Sequence, residues 1–267
     1  MLDERTEVCF NREVAEDFYL LQLQAPSIAA AARPGQFVEV RVSRRISPFL
    51  RVPLSVCQID ADSGTIDVLY EDMGPKTHAL SQAKAGDVLD CIGPLGQGFR
   101  APLAGTRPVL VGGGIGVPPL VFLGARLRAG GADPVLVVGA RSAAKHLPDD
   151  LLGPAAATLL RATDDGSLAH QGLVTDLLAP LLAEGGVEVF TCGPHGMMAA
   201  VAGLCRQAQV PCQASLEEYM ACGFGVCVGC VVEIEPAEGQ EQSPYERYRR
   251  ICLDGPVFDA HRVNWGD

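Results

Sequence analysis

The stretch Val109-Leu-Val-Gly-Gly-Gly-Ile-Gly-Val-Pro-Pro119 places a glycine run between an apolar segment and two prolines. The apolar residues predict a buried strand, and the prolines suit the first turn of a helix, where a missing N–H is no loss. Such a turn lets backbone N–H groups and the helix N-terminus approach a pyrophosphate. Its spacing departs from G-x-G-x-x-G, so close helix–strand packing is the alternative explanation.

Around this turn, short apolar strands alternate with helical stretches. Strands are expected at 109–111, 135–138 and 187–190, and helices at 118–128, 173–182 and 194–207. This alternation is typical of βαβ units on a parallel sheet. A second turn, Thr191-Cys-Gly-Pro194, also follows a strand and opens a helix, so both turns are expected at the sheet edge where ligands bind. There Cys192 is expected to face a nicotinamide ring, with a packing role as the alternative.

The first hundred residues have a different pattern. Short strands with turn residues between them are expected at 18–23, 36–42, 54–58, 65–70 and 88–92. Strands at this spacing predict an antiparallel barrel. The composition changes near Pro102 to Arg107, which marks the first domain boundary.

The last segment is rich in cysteine and glycine. Cys222, Cys227 and Cys230 give C-x4-C-x2-C, and Cys252 lies 22 residues after the third, which is the plant-type spacing of [2Fe-2S] ligands. A two-iron cluster needs four thiolates, so one loop must curl around it while a distant cysteine closes the site. The sequence therefore predicts an iron–sulfur centre.

Glycines separate these cysteines, at positions 223, 225 and 229. They permit backbone conformations that bring N–H donors close to sulfur. Structural zinc is the alternative, although zinc motifs usually pair two short hooks. Just before the cysteines, Ser215-Leu-Glu-Glu218 has the form of a capping box and predicts a short helical turn.

The composition indicates an ordinary globular protein and excludes some classes of binding partner. The chain has 267 residues, of which 48% are hydrophobic and 20% charged, as in ordinary globular proteins. A net charge of -11 disfavours nucleic acid and anionic membranes as partners. The charged N-terminus does not have the order of a signal peptide, so a cytoplasmic protein is expected and the ten cysteines are not read as a disulfide scaffold.

In this order and over nearly the whole chain, these segments resemble the ferredoxin-NADP reductase superfamily. More narrowly, they resemble the electron-transfer subunits of class 1B dihydroorotate dehydrogenases. The resemblance is carried by Arg51 to Ser55, residues 112–119, Asp164 to Ser167 with Gly172 to Asp176, Thr191 to Pro194, Ser215 to Glu218, the cysteine loop, and Cys252 to Phe258.

The resemblance implies three units: an FAD-binding antiparallel β-barrel at 1–101, an NAD-binding α/β domain with a parallel sheet at 102–212, and a small [2Fe-2S] module at 213–267. The implied flavin contacts are Arg51, Pro53, Leu54, Ser55, Leu69, Tyr70, Glu71, Lys76 and Thr77. The implied nicotinamide contacts are Gly113, Gly114, Gly116, Cys192 and Gly193. The implied cluster ligands are Cys222, Cys227, Cys230 and Cys252.

The chain departs from the family pattern at three places that bear on these sites, one of which is the loop before Cys252, which is longer than usual. The family has arginine three residues before the serine, where this chain has Val52, so Arg51 is expected to contact the FAD phosphate through a small change of register. Tyr219 stands where a basic residue is usual, which alters the expected partner surface.

The resemblance also implies the function. Electrons would pass between NAD(H), FAD and the cluster, to or from an FMN-containing dihydroorotate dehydrogenase catalytic subunit, in a heterotetramer with two copies of each chain. The alternatives are a subunit that couples NAD(P)H to ferredoxin or a hydrogenase, and a zinc-bearing nucleotide-binding adaptor. No His/Asp or Cys/base constellation for substrate oxidation is apparent, which favours a chain that moves electrons.

Overall fold

The structure is a computed structural model that describes residues 1–43, 48–236, 243 and 245–266. Its N-terminal part is a closed six-stranded antiparallel barrel with the strand order β1-β2-β5-β4-β3-β6. The strands are β1 (Leu2–Ala15), β2 (Phe18–Gln24), β3 (Phe37–Arg41), β4 (Val52–Asp60), β5 (Thr65–Glu71) and β6 (Val88–Leu95). Two short helices accompany the barrel, α1 (Pro26–Ala31) and α2 (Pro75–Ser81).

Side-chain alternation along the strands gives the barrel an apolar interior and an outer face. On β4, Val52, Leu54 and Val56 are at most 5% exposed, whereas Pro53 and Ser55 are half-buried. Because successive side chains of a strand point to opposite faces, Pro53 and Ser55 lie on the outer face. Burial of the inner set holds the barrel closed and leaves the outer set available to a ligand.

The second part is a seven-stranded sheet with the order β10-β9-β8-β7-β11-β12-β15. Its strands are β7 (Arg107–Gly113), β8 (Val135–Ala140), β9 (Thr158–Thr163), β10 (His170–Gln171), β11 (Val187–Cys192), β12 (Cys212–Ser215) and β15 (Val257–Asp259). All neighbours are parallel except β12 and β15, which are antiparallel. The predicted combination of an antiparallel barrel and a parallel sheet is confirmed.

The helices of the second part are α3 (Pro118–Ala129), α4 (Asp149–Leu152), α5 (Val174–Glu184) and α6 (His195–Gln207). The long helices α3, α5 and α6 agree with the predicted ones to within two residues at each end. Helix α3 begins two residues after the glycine turn, with both prolines in its first turn, where they cost no hydrogen bond.

The C-terminal segment packs onto this sheet. It contains the hairpin of β13 (Val231–Glu233) and β14 (Tyr248–Arg250), the short helix α7 (Ile251–Asp254), and β15 at the sheet edge. Strand β12 crosses the predicted boundary at residue 212, so the sheet continues into the third predicted unit. The predicted helical turn at 215–218 is wrong, since Ser215 ends β12 and residues 216–220 form no helix.

Within the described residues, no helix has the length and apolar character needed to cross a membrane.

Two glycines in helices test how tightly the second part is packed. A β-carbon added at Gly124 of α3 would lie 2.9 Å from the Ala155 carbonyl carbon and closer still to its oxygen. At Gly203 of α6 no atom lies within 4 Å. We expect Gly124→Ala to lower the free energy of unfolding by about 1–3 kcal/mol through overpacking. We expect Gly203→Ala to raise it by about 0.5–1 kcal/mol through helix propensity. Urea unfolding followed by circular dichroism measures both, and equal effects would contradict the packing.

Candidate functional site

A cavity of about 650 Å³ lies between the barrel and the carboxyl edge of the parallel sheet. The segments that follow β7, β8, β9 and β11 line it, together with Phe18, Glu71 and Met73 of the barrel part. Ligands of open α/β sheets bind outside the carboxyl ends of the strands, and this cavity lies at that place. The structure brings the predicted residues Gly113, Gly114, Gly116 and Gly193 together on its wall.

The two glycine turns pack backbone against backbone. Gly112 on β7 pairs with Cys192 on β11, so the turns that follow these residues lie side by side at the sheet edge. A β-carbon added at Gly116 would lie 2.6 Å from the Cys192 carbonyl carbon and would collide with Gly193. Gly193 has φ of 154°, a conformation that favours glycine. These glycines therefore keep two loops close enough to form one wall of the cavity.

The prediction that Cys192 faces the ligand needs correction. The cavity is lined by Gly193 and Pro194, whereas the Cys192 side chain is 1% exposed in the apolar core of the sheet. Burial raises its pKa well above the ordinary value, so the thiol is neutral. The thiol packs in the core, which was the alternative considered from the sequence.

The barrel residues implied as flavin contacts lie at one end of β4 and β5. The ladder between these strands ends at Val56 and Val68, so residues 53–55 and 69–71 extend beyond the paired region. The half-buried side chains are those of Arg51, Pro53, Ser55, Glu71, Lys76 and Thr77. They form an outer surface that a ligand can reach.

Three of the implied flavin contacts have buried side chains. Leu54 and Leu69 are at most 5% exposed in apolar clusters. The Tyr70 hydroxyl donates to Asn11 Oδ1 at 2.9 Å inside the barrel. These three side chains are therefore turned away from a ligand on the outer surface, and a flavin contact at their positions stays a prediction.

Arg51 is tied to the barrel. Its Nη1 donates to the carbonyl oxygens of Asp90 at 2.6 Å and Glu39 at 3.4 Å. The Lys76 ammonium donates to the Arg51 carbonyl oxygen at 2.9 Å and joins α2 to the start of β4. At the start of α2, Thr77 Oγ1 accepts a hydrogen bond from Gly74 N at 3.0 Å. A phosphate contact by Arg51 stays a prediction.

The four predicted cluster cysteines form two pairs. Cys222 Sγ accepts a hydrogen bond from Cys227 N, and Cys230 Sγ accepts one from Cys252 N, each at 3.4 Å. In a [2Fe-2S] centre each iron takes two of the four thiolates. Among the described residues, no three His, Cys, Asp or Glu side chains are arranged to hold a metal ion, so the agreement lies in the two pairs themselves. The paired arrangement fits a two-iron centre.

Backbone N–H groups stabilise the thiolate form of Cys222, in the first pair. Burial raises the pKa of Cys222, but hydrogen bonds from the N–H groups of Cys227, Phe224 and Val226 outweigh it and lower the pKa to about 6. By contrast, burial and the neighbouring Cys230 raise the pKa of Cys252 to about 12. Donors aimed at sulfur stabilise negative charge on ligand thiolates, so the loop has the chemistry that a cluster needs.

Two residues on the cavity were missed from the sequence. Lys145 donates to Asp17 at 2.8 Å and Glu71 at 3.1 Å and so joins the second part to the barrel. Glu217 lines the cavity with a solvent-exposed side chain, and the protein on its other sides raises its pKa by desolvation. The S-x-x-E pattern that contains Glu217 was interpreted as a helix cap. No local signal identifies Lys145, because its partners are distant in sequence.

Comparison with known proteins agrees with the geometry. The profile of the family described as the iron-sulfur cluster binding domain of dihydroorotate dehydrogenase B matches residues 217–264. The dihydroorotate dehydrogenase B (NAD(+)) electron transfer subunit of Bacillus caldolyticus is 40% identical, over 97% of this chain and 98% of that protein. The subunit of the same name from Desulforamulus reducens is 38% identical, over 94% of each.

A solved structure of an NADH-dependent reduced ferredoxin-NADP oxidoreductase is also similar. It is 30% identical with a TM-score of 0.84, over 97% of this chain and 90% of that chain. Barrel, sheet and C-terminal cysteine segment together define a protein with the ferredoxin-NADP reductase fold and an added cluster-binding segment. The Bacillus caldolyticus and Desulforamulus reducens relatives, each matched over almost its full length, carry one name. The chain belongs to the family of dihydroorotate dehydrogenase B electron transfer subunits.

The N–H donors around Cys222 predict an acidic thiol once iron is removed. The thiolate is the nucleophile, so alkylation by iodoacetamide should reach half its maximal rate near the Cys222 pKa of about 6. Cys9, partly exposed on the barrel and with a raised pKa, is the internal control and should react only at higher pH. Peptide mass spectrometry measures both rates, and identical pH profiles for the two cysteines would contradict the donor arrangement.

Proposed function

We propose that this chain passes electrons between NAD(H) and a catalytic partner through FAD and a [2Fe-2S] cluster. Cys222, Cys227, Cys230 and Cys252 would hold the cluster, and the outer surface formed by β4, β5 and the start of α2 would hold FAD. NAD(H) would occupy the cavity at the sheet edge. The arrangement of the four cysteines as two pairs next to the barrel is the observation that carries this proposal.

The cysteine loop lies against the barrel. A β-carbon added at Gly223 would lie 2.5 Å from Glu39 Cγ on β3. Glu39 pairs with Pro53 on β4, one of the implied flavin contacts. These contacts support a short path, along which electrons would pass from the proposed flavin surface to Cys222. When bound, FAD would connect nicotinamide, which exchanges electrons in pairs, to a cluster that accepts one electron.

The protein's own residues would position these groups. The glycine turns at 113–116 and 193 let backbone N–H groups approach a dinucleotide. The ion pairs of Lys145 with Asp17 and Glu71 fix the sheet against the barrel, so that a nicotinamide in the cavity meets the flavin surface. The N–H donors around Cys222 would stabilise the charge of a ligand thiolate.

The partner would be the FMN-containing dihydroorotate dehydrogenase subunit, in a heterotetramer with two copies of each chain. This rests on the names of the relatives, which describe an electron transfer subunit. Apolar side chains surround the cysteine loop, with Tyr219 95%, Val226 73% and Val228 57% exposed. Exposed apolar side chains at one place are typical of protein interfaces. The acidic chain would act in the cytoplasm and bind no nucleic acid.

A second candidate is supported by the similarity to the NADH-dependent reduced ferredoxin-NADP oxidoreductase. In that case the cluster would exchange electrons with another iron–sulfur protein. Affinity purification of the chain from its own cells distinguishes the two candidates. A flavoprotein that oxidises dihydroorotate to orotate should be recovered with it, whereas a ferredoxin-dependent partner would favour the second candidate.

The primary test uses the chain expressed and purified under argon. We expect flavin absorbance, about two irons per chain, and a paramagnetic resonance signal of a reduced two-iron centre after dithionite treatment. Cys222→Ser should abolish or alter that signal while the flavin stays bound. Cys9→Ser, a partly exposed cysteine outside the loop, is the control and should leave the signal unchanged. A colourless wild-type protein containing zinc would contradict the proposal and support the adaptor alternative.

The close approach of the glycine turns predicts the effect of one added methyl group. In Gly116→Ala the new β-carbon collides with Gly193, so the two turns must move apart. We expect KM for NADH in the reduction of an artificial acceptor to rise about tenfold, about 1.4 kcal/mol in binding. The flavin content should not change. Gly203→Ala, with open space around it, is the control, and an unchanged KM in Gly116→Ala would contradict this role of the turns.

A further inference from the structure

Glu39 is a buried acid without a partner. It lies on β3 and is 1% exposed. Neither of its carboxyl oxygens has a hydrogen-bond partner among the described residues. Native proteins rarely leave a buried carboxyl group in this state, because the lost hydration is not replaced. A structural role would be served equally well by an apolar side chain, so the carboxyl group calls for another explanation.

The position of Glu39 suggests that explanation. Its side chain points at the cysteine loop, where a β-carbon added at Gly223 would lie 2.7 Å from the carboxyl carbon. Gly223 directly follows Cys222, and it has φ of 76°, which lets the backbone approach the barrel this closely. Glu39 is also the strand partner of Pro53. The carboxyl group thus lies between the proposed cluster and the proposed flavin surface.

Charged residues near Glu39 affect the ionisation of its carboxyl group. Burial raises its pKa to about 7, and the positive charges of Lys76 and Arg51 act in the opposite direction. Because Gly223 packs against the Glu39 carboxyl group, Cys222 is also close to it. Like charges repel, so an ionised Glu39 disfavours added negative charge at Cys222 and at any metal bound to it.

We propose that Glu39 is a positioning residue for electron transfer, whose carboxylate behind Cys222 and Gly223 lowers the reduction potential of the cluster and so sets the driving force from the flavin. This inference rests on the proposed function. The step that it influences is the transfer of one electron from the reduced flavin to a ferric iron, which becomes ferrous. No bond forms or breaks, and the added charge on the cluster is what the carboxylate opposes.

The test is Glu39→Gln in the assembled protein with its partner. Glutamine keeps the size of the side chain and removes the charge. The midpoint potential of the cluster is measured by redox titration at alkaline pH, followed by paramagnetic resonance. We expect the potential to rise, with the electron equilibrium between flavin and cluster shifted about tenfold toward the reduced cluster, or about 59 mV for a one-electron couple.

Glu188→Gln is the matched control, because it removes another buried glutamate charge, on β11 in the sheet. Glu188 is 3% exposed and accepts hydrogen bonds from Leu103 N at 2.6 Å and Gln213 Nε2 at 3.0 Å. Its loss should not move the potential of the cluster. Iron content and the spectrum of the reduced cluster in both variants show whether the cluster is intact.

The outcomes separate the possible roles. A raised potential in Glu39→Gln with full iron content supports the proposal. An unchanged potential with full iron content overturns it, as does an equal shift in Glu188→Gln. Loss of the cluster from Glu39→Gln alone also overturns it, because Glu39 would then support the structure of the loop. If the wild-type protein has no two-iron signal, the proposed function fails, which is a separate result.

Discussion

Close packing of the cysteine loop against the rest of the chain is the constraint on which the proposed electron path depends. Gly223 lies against Glu39 of the barrel, and a β-carbon at Gly225 would lie 3.1 Å from Leu253 of α7. The Arg250 guanidinium donates to the Gly225 carbonyl oxygen at 2.9 Å, and Ile251 N donates to the Cys230 carbonyl oxygen at 2.8 Å. The loop is thus held on two sides, and its sulfur atoms keep a fixed relation to the barrel.

The barrel and the sheet meet so that their candidate sites face each other. The ladder between β4 and β5 ends early and leaves Pro53, Ser55 and Glu71 half-buried beside the gap, while the sheet presents its glycine turns at its carboxyl edge. Lys145 joins the two parts through Asp17 and Glu71. The pair with Glu71 is partly buried and the pair with Asp17 is exposed, so they connect the two parts while adding little stability. The arrangement suits a protein whose task is to hold carriers at set distances.

The sequence predicts those parts of the fold and of the candidate site whose structure is decided by neighbouring residues along the chain. The prolines after Gly116 mark the start of α3, and the cysteine spacing agrees with the paired sulfur atoms. Strand β1 was missed because only Thr6 and Val8 of its side chains are buried, so it has no apolar alternation. Its pairing with β2 and β6 decides its structure, and that pairing is not visible locally.

The face of a strand on which a side chain lies was harder to predict from the sequence. Position in a motif places Cys192 next to the cavity, but strand alternation turns its side chain into the core and leaves Gly193 on the wall. The same alternation buries Leu54 and Tyr70. Glu39 carries no motif at all. Its environment depends on Gly223, far along the chain, so only the folded structure shows it.

A count of electrons tests the central claim most directly. The reconstituted chain, alone and without oxygen, is titrated with a strong reductant while flavin absorbance and the cluster signal are followed together. We expect each chain to take up two electrons in flavin and one in the cluster, and we expect NADH to reduce both centres. Uptake confined to the flavin, or a cluster that NADH cannot reduce through it, would contradict the account.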